Sequence, residues 1–459
     1  MAMMPVTDSM FLLAESREHP MHVGGLQLFE LPDGAGPDYV SDLHRSLVNM
    51  ADVRPLFRRR PRGPVGTVGQ FAWANDDQLD LEYHVRLSGL PRPGRVRELL
   101  ELTSRLHGTL LDRHRPLWEF TLVEGLQGNR FASYTKVHHA LLDGVSALRQ
   151  LQSSLSEDPD ERDLRPPWSP QVRTDVLGER KSRADNEFDP VDAVRGFVRE
   201  VAGLGGAAVK VVNEAFREQS ATLSFQAPRS MFNVPITGAR RFAAQGWPLE
   251  RLKAVGKAAG ATMNDVMLAM CAGALRQYML DLGTLPDKPL VAAIPMSLRA
   301  GGDRAMGGGN AIGLILCNLA TDEADAGARL ATIHESMAKG KAVYHGMSRL
   351  QITALSAVPL IPLAIGTIPG MTRVTPPSFN VLISNVPGPR QPLYWNGARM
   401  QGVYPLSIPY EGQALNITVT SYAGSLEFGL TGCRRTVPHL QRLLALLDES
   451  LADLEKAVS

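Results

Sequence analysis

The chain has 459 residues, and at roughly 150 residues per domain this length predicts two or three domains. Hydrophobic residues make up 44% of the chain and charged residues 21%, a balance typical of globular proteins, so disorder and low complexity are excluded. The 48 basic residues nearly equal the 47 acidic ones, and a net charge of +1 gives no long-range field that would attract nucleic acid.

The cysteines and the N-terminus predict a cytoplasmic protein. Cys271, Cys317 and Cys433 lie far apart and form no CxxC pair, so the sequence indicates neither a disulfide framework nor a cysteine metal site. The first basic residue is Arg17, so no basic region precedes the apolar residues at the start of the chain. A secretory signal peptide is therefore not expected.

The first third of the chain predicts alternating strands and helices. Residues Met21–Leu31 alternate in polarity as a strand does, and Val96–Leu111 repeats apolar residues at helical spacing. A second strand ends near His139, and a turn leads from it into a helix whose apolar face begins at Val145. These patterns favour the mixed α/β (α+β) class.

A change of composition marks the predicted domain boundary. Residues 156–189 are charged and contain prolines, as exposed linkers do. An amphipathic stripe with basic residues follows at Val191–Phe216, and it fits either a crossover helix on the protein body or a helix on a membrane surface. We predict an N-terminal half at 1–155, a linker with a crossover helix at 156–227, and a C-terminal half at 228–459.

The second half repeats the mixed pattern of the first. A helix is predicted at Met263–Leu282 and a strand at Pro289–Arg299. The most apolar stretch, Ala354–Met371, nears the length of a bilayer span, but its three prolines disfavour a spanning helix. Ser384–Pro389 (SNVPGP) is predicted to form a rigid turn after a strand.

The strongest local motif is HHALLDG at His138–Gly144. Side chains alternate between the two faces of a strand, so adjacent histidines at its end do not point into the same site. An imidazole is suited to accepting a proton at neutral pH, and Asp143 can fix the local geometry beyond the turn at Gly144. A buried, hydrogen-bonded histidine pair remains the alternative. The same facing argument disfavours a metal site, and none is predicted.

Other motifs of catalysis are missing from the sequence. It contains no GxSxG elbow and no GxxxxGK[ST] phosphate loop. A histidine base without a nucleophilic serine or cysteine beside it indicates direct transfer to an acceptor hydroxyl or amine. Asn264 and Asp265 stand at the predicted start of a helix, where both residue types commonly cap.

The motifs together resemble one family, the bacterial wax ester synthase/acyl-CoA:diacylglycerol acyltransferase family of the HHxxxDG acyltransferase superfamily. The opening TDSMFLLAE with PMHVGGL is similar to the start of that family, and the resemblance covers nearly the whole chain. The motifs that carry it, in order, are PLW (Pro116–Trp118), HHALLDG (His138–Gly144), NDV (Asn264–Val266), PMSLR (Pro295–Arg299), GN (Gly309, Asn310) and SNVPGP.

The resemblance implies two chloramphenicol-acetyltransferase-like halves with the active-site tunnel between them. His139 would be the general base that takes the hydroxyl proton of a long-chain fatty alcohol or a diacylglycerol, while the oxygen attacks a fatty acyl-CoA. The products would be wax esters or triacylglycerol, with no cofactor and no acyl-enzyme. Asp143 would be structural, with Arg299 as a candidate partner. Asn264 would stabilise the oxyanion or place substrate, and its capping role stays an alternative.

Water-insoluble acceptors, together with the basic stripe at 191–216, predict peripheral association with a membrane or lipid body. For the same substrates, the apolar segment Ala354–Ile368 is expected to line an acyl-chain or alcohol pocket. Two other functions stay open. A condensation-type, amide-forming domain shares HHxxxDG, but such a domain normally works beside a carrier domain, and the chain contains no carrier module. A non-catalytic lipid-binding protein of the same fold is the second, although in it the HHxxxDG motif would be expected to decay. The sequence leaves the oligomeric state open.

Overall fold

The structure is a computed structural model of the chain. It describes residues 2–65, 70–170, 227–299, 310–345, 347, 349–366 and 370–459. The predicted stripe Val191–Phe216 and Gly309 lie outside these residues. The backbone of Arg299 is described, and its side chain is not.

The strands are distributed along the whole described chain. They are β1 (Ala2–Met3), β2 (His22–Glu30), β3 (Arg59–Val65), β4 (Gln70–Asn75), β5 (Val85–Gly89), β6 (Trp118–Leu126), β7 (Arg130–His138), β8 (Arg240–Pro248), β9 (Val291–Arg299), β10 (Asn310–Asn318), β11 (Val381–Val386), β12 (Tyr394–Trp395), β13 (Ala398–Leu406), β14 (Leu415–Tyr422) and β15 (Ser425–Cys433).

The helices alternate with these strands. They are α1 (Val6–Ala14), α2 (Tyr39–Val48), α3 (Leu81–His84), α4 (Val96–His107), α5 (Gly144–Gln152), α6 (Leu249–Ala259), α7 (Met263–Asp281), α8 (Ala326–Val343), α9 (Arg349–Ala357), α10 (Ile361–Gly366) and α11 (Arg442–Ala457). The strand at 21–31 and the helices at 96–111 and 263–282 are confirmed, each with an end shifted by a few residues.

Two six-stranded sheets form the body of the described structure. The first has the order β12-β13-β2-β7-β6-β5, and the second has the order β10-β9-β11-β14-β15-β8. A small third sheet, β1-β4-β3, lies beside the first. Both large sheets are mixed, since β5 runs parallel to β6 and β11 runs parallel to β9 and β14. The mixed fold class predicted from the sequence is confirmed.

Two strands of the C-terminal part, β12 and β13, belong to the sheet of the N-terminal half. β13 pairs antiparallel with β2, so that Met400 lies opposite Phe29. The predicted domain division at 155 and 228 stays a prediction. It would assign the paired strands β2 and β13 to different halves. β13 also approaches the second sheet closely, since a Cβ added to Gly429 would lie 1.9 Å from the Pro405 carbonyl oxygen.

Each half has a core of its own, and a third cluster joins them. Helices α7 and α11 pack on the second sheet, where Leu275 and Leu447 are almost fully buried. The first half packs its aromatic side chains around Trp118 and Phe131. The joining cluster contains Leu99 of α4, Phe242 of β8 and Leu406 of β13. These contacts hold the two sheets in a fixed relation.

The apolar stretch near residue 360 folds as short helical pieces. Helix α9 ends at Ala357, a 3-10 turn covers Val358–Leu360, and α10 ends at Gly366. Among the described residues, no single helix has both the length and the apolar composition needed to cross a membrane. The pair α6 and α7 meets those criteria only when taken together, and it is bent by 103°.

Candidate active site

The two adjacent histidines stand where β7 leads into α5. The strand ends at His138, and the next amide, of His139, donates to the Met21 carbonyl oxygen at 2.9 Å. Asp143 then caps α5, because its carboxylate accepts from the Ser146 amide at 2.6 Å. The junction therefore places the side chains of His138 and His139 in different surroundings.

His138 points into the protein interior and is completely buried. Its Nδ1 accepts a hydrogen bond from the Ala140 amide at 3.1 Å, so Nε2 carries the ring N–H. Nε2 lies 3.3 Å from Oε1 of Glu15, another buried side chain. These contacts make His138 part of the structure that supports the turn.

Glu15 is the centre of a buried polar network, and nothing in the sequence pattern assigned a role to this residue. Its Oε1 accepts from the Met21 amide at 3.1 Å, and its Oε2 accepts from Arg113 Nη2 at 2.9 Å. Burial by itself would raise the pKa of this carboxyl, but the hydrogen bond from His138 and the other polar contacts outweigh it, so the Glu15 pKa lies below its ordinary value. The carboxylate is therefore ionised and ties three segments of the chain together.

His139 faces the other way, into a cavity. Its ring stacks on Phe11 with 4.2 Å between the ring centroids. Burial lowers the pKa of the imidazole to about 4, although the nearby Asp143 carboxylate acts in the opposite direction. At neutral pH the ring is therefore uncharged and able to accept a proton.

The cavity around His139 lies between the two large sheets and has a volume of about 90 Å³. The N-terminal half contributes Val23, Gly24, His139, Gly144 and Leu148. The second sheet contributes Pro295, Leu382, Ser384, Val386, Asn416 and Thr418. Residues Pro405–Ile408, at and after the end of β13, complete the wall together with Tyr410. His139 thus faces polar groups of the opposite half.

The structure does not bring Asn264 into this cavity. Leu382, Ser384 and Val386 face the cavity from β11, so Asn385 lies on the opposite face of the strand. Asn385 donates from Nδ2 to Asn264 Oδ1 at 3.5 Å, which places Asn264 on that opposite face as well. Its role as an oxyanion donor stays a prediction without support from this geometry.

The predicted capping by Asn264 and Asp265 needs a correction. The N-cap of α7 is Thr262, whose hydroxyl accepts from the Asp265 amide, while the Asp265 carboxylate accepts from the Thr262 amide at 3.0 Å. Asp265 also pairs with His334 Nδ1 at 2.8 Å. Asp265 therefore closes a capping box, and Asn264 does not cap the helix.

Other motif residues lie in different parts of the fold. Trp118 is buried in β6, donates from Nε1 to the Phe57 carbonyl oxygen at 2.9 Å, and stacks on Trp168. Pro116 precedes this strand and accepts from the Trp118 amide. The PLW motif thus anchors the first half. The pairing of Asp143 with Arg299 stays a prediction, because the Arg299 side chain lies outside the described residues.

The SNVPGP motif is part strand and part turn. Ser384–Val386 belong to β11, so the predicted turn begins later than expected. A Cβ added to Gly388 would lie 2.0 Å from the Ser421 carbonyl oxygen, so only glycine fits there. The apolar stretch 354–371 is absent from the described wall of the His139 cavity. Pro359, Pro362 and other residues near it line a separate cavity of about 30 Å³, so its acyl-binding role stays a prediction.

The low pKa of His139 predicts a low acid limit for activity. The pKa of His139 is about 4 in the folded protein, whereas a free imidazole titrates near 6.5. Between pH 6.5 and pH 4 the unfolded chain therefore binds more protons than the folded protein, so the folded state loses stability as the pH falls through this range. We expect kcat/KM to hold from pH 8 to pH 6 and to fall only toward pH 4. Initial rates across this range, corrected for unfolded protein, measure the limit. A midpoint at 6.5 or above would contradict this environment for His139.

Within the described residues, no group of three or more His, Cys, Asp or Glu side chains is arranged to hold a metal ion.

The fold and the cavity define a two-half protein of the chloramphenicol-acetyltransferase type. In agreement, the structure is similar to the first condensation domain of the CDA synthetase, with a TM-score of 0.57 and 16% identity over 99% of this chain and 95% of that one. That likeness shows the fold alone.

Sequence comparison gives the family. Residues 3–267 match the wax ester synthase/diacylglycerol acyltransferase catalytic domain, and residues 308–455 match the WS/DGAT C-terminal domain. The chain belongs to the wax ester synthase/diacylglycerol acyltransferase family and is an O-acyltransferase.

Individual relatives cover the whole chain. A putative diacylglycerol O-acyltransferase of Mycobacterium bovis and a probable one of Mycobacterium tuberculosis are each 54% identical over 99% of this chain and 99% of their own length. The solved structure of a wax ester synthase/diacylglycerol acyltransferase from Marinobacter aquaeolei is 44% identical, covers 100% of both chains, and superposes with a TM-score of 0.81.

Proposed function

We propose that this chain transfers a fatty acyl group from acyl-CoA to the hydroxyl group of diacylglycerol, forming triacylglycerol, and also to long-chain fatty alcohols, forming wax esters. The observation that carries the proposal is the uncharged ring of His139 in a cavity between the two halves. The names of the Mycobacterium relatives support the diacylglycerol activity, and the name of the Marinobacter structure supports both activities.

The proposed chemistry is direct transfer with His139 as general base. The imidazole takes the proton of the acceptor hydroxyl while the oxygen attacks the thioester carbonyl carbon. The tetrahedral intermediate then expels the CoA thiolate, which receives the proton from the imidazolium. Burial raises the pKa of the Cys271 and Cys317 thiols to about 12, so neither is suited to form an acyl-enzyme. The reaction needs no cofactor, since acyl-CoA is a substrate.

The location that fits these substrates is the cytoplasm, at the surface of a membrane or lipid body. Diacylglycerol and fatty alcohols reside in such surfaces, and an acyltransferase that works on them must reach them from the water phase that holds acyl-CoA. The basic stripe Val191–Phe216 is the segment proposed to bind there. Its structure lies outside the described residues.

The decisive experiment measures free CoA thiol from palmitoyl-CoA with three acceptors presented separately: dipalmitoylglycerol, hexadecanol and hexadecylamine. We expect release with both alcohols, the matching ester on thin-layer chromatography, and much less release with the amine. Release of CoA with the amine alone would favour a condensation-type, amide-forming function. No release with any acceptor from a folded protein would favour lipid binding without catalysis.

A further inference from the structure

We propose that the side-chain amide of Asn416 donates to the carbonyl oxygen of the acyl thioester and stabilises the oxyanion that forms on it. The inference rests on the proposed acyl transfer and names a second catalytic residue for that reaction. Asn416 is on β14 in the C-terminal half, so the site would combine a base from one half with a donor from the other.

The register of the second sheet puts Asn416 on the cavity face. β14 runs parallel to β11, with Asn416 beside Leu382 and Thr418 beside Ser384. Neighbouring residues in register point to the same face of a sheet. All four line the cavity that contains His139.

A chain of hydroxyl groups fixes the orientation of the Asn416 amide. Thr418 Oγ1 donates to Asn416 Oδ1 at 3.0 Å, and Ser407 Oγ lies 2.6 Å from Thr418 Oγ1. A threonine hydroxyl has one hydrogen, which here is used toward Asn416, so Ser407 must donate to Thr418. The side-chain carbonyl oxygen of Asn416 is therefore occupied by the Thr418 hydroxyl, and the NH₂ group of Asn416 faces away from these hydroxyl groups.

The NH₂ group of Asn416 provides two donors in a site with little water. The residue is only 4% exposed, and no acceptor for Nδ2 occurs among the contacts of the described residues. The backbone of Ser407 is bound to the first half, because His107 Nε2 donates to the Ser407 carbonyl oxygen at 3.3 Å. A fixed donor that needs no reorganisation is the arrangement that stabilises an oxyanion.

The proposed step conserves atoms and charge. As the acceptor oxygen attacks the thioester carbon, the π electrons of the C=O bond move to oxygen, and the resulting negative charge is met by the Asn416 N–H groups. When the C–O double bond reforms, the C–S bond breaks and CoA thiolate leaves with the proton held by His139. Asn416 itself neither gains nor loses a proton.

The test is the pair Asn416→Asp and Thr418→Val, with Thr418→Ser as the matched control. Asn416→Asp keeps the shape and the acceptor for Thr418 but replaces the donors by a carboxylate, so kcat should fall by about 10² to 10³ with little change in the KM for palmitoyl-CoA. Thr418→Val frees the amide to rotate, and we expect a loss of about threefold to tenfold, the size of one net hydrogen bond. Thr418→Ser keeps the hydroxyl and should restore most of that loss.

Thermal melts of each variant separate a folding defect from a catalytic one. Asn416→Asp turning over at nearly the wild-type rate would overturn the proposal, as would a loss confined to KM. If Ser384→Ala abolished kcat while Asn416→Asp did not, the oxyanion donor would be Ser384. These outcomes differ from a failure of the proposed function, in which the wild-type protein itself releases no CoA.

Discussion

His139→Ala should lower kcat for CoA release by about two to four orders of magnitude, the usual contribution of a positioned general base. The ring lines the cavity, stacks on Phe11 and is uncharged at neutral pH, so its removal deletes the proton acceptor and leaves the surrounding fold in place. Binding of palmitoyl-CoA should change little. Steady-state CoA release and a thermal melt measure the two effects separately.

The adjacent histidine supplies the control. His138→Ala removes the acceptor for the Ala140 amide and the partner of Glu15, so it should lower the free energy of unfolding by about 1 to 3 kcal/mol and reduce activity less. If His138→Ala abolished turnover with an unchanged melt, while His139→Ala kept it, the base would be His138. The assignment proposed above would then be wrong.

The opposite orientation of these two histidines could be anticipated from the sequence, because strand alternation is a local rule. The same holds for the helix from Met263, whose pattern of apolar residues is contained within the helix itself. Features of this kind are determined by residues that are close together in the sequence, so the sequence pattern predicts them.

The pairing of β13 with β2 could not be read in that way. Met400 and Phe29 are far apart in the chain, and alternation along β13 shows that it is a strand without showing which sheet it joins. The consequence reaches the site, since Pro405 and Leu406 at the end of β13 form part of the cavity wall.

The place of Asn264 relative to the cavity could not be predicted from the sequence for a related reason. Its place at a helix start and in a family motif made it a natural oxyanion candidate, but the face of β11 that it contacts depends on the partner Asn385, 121 residues away. Asn416 and Thr418, by contrast, follow the ordinary polar alternation of a half-buried strand, and nothing local distinguishes them. Only the register between β11 and β14 shows that they share the cavity with His139.

Glu15 is the second position at which we expect a large effect, although it does not touch the cavity in the described structure. Its carboxylate accepts from the Met21 amide, and the Met21 carbonyl in turn accepts from the His139 amide. The same carboxylate neutralises Arg113 and faces His138. A single side chain thus supports the backbone of His139 and lies against the buried His138 ring beside it.

Glu15→Ala leaves the Met21 amide without its acceptor, removes the carboxylate that lies 3.3 Å from His138 Nε2, and leaves the half-exposed Arg113 to solvent. An unsatisfied buried donor costs about 1 to 3 kcal/mol, so the free energy of unfolding should fall by about 3 kcal/mol, and kcat should fall with it because His139 loses its backbone support. Glu15→Gln keeps an acceptor for Met21 and should lose about half as much stability. Urea unfolding and CoA release on the folded fraction measure both effects. If Glu15→Ala unfolded at the wild-type urea concentration and kept wild-type kcat, the network would not position the base, and the depressed pKa of Glu15 would reflect no stabilising contact.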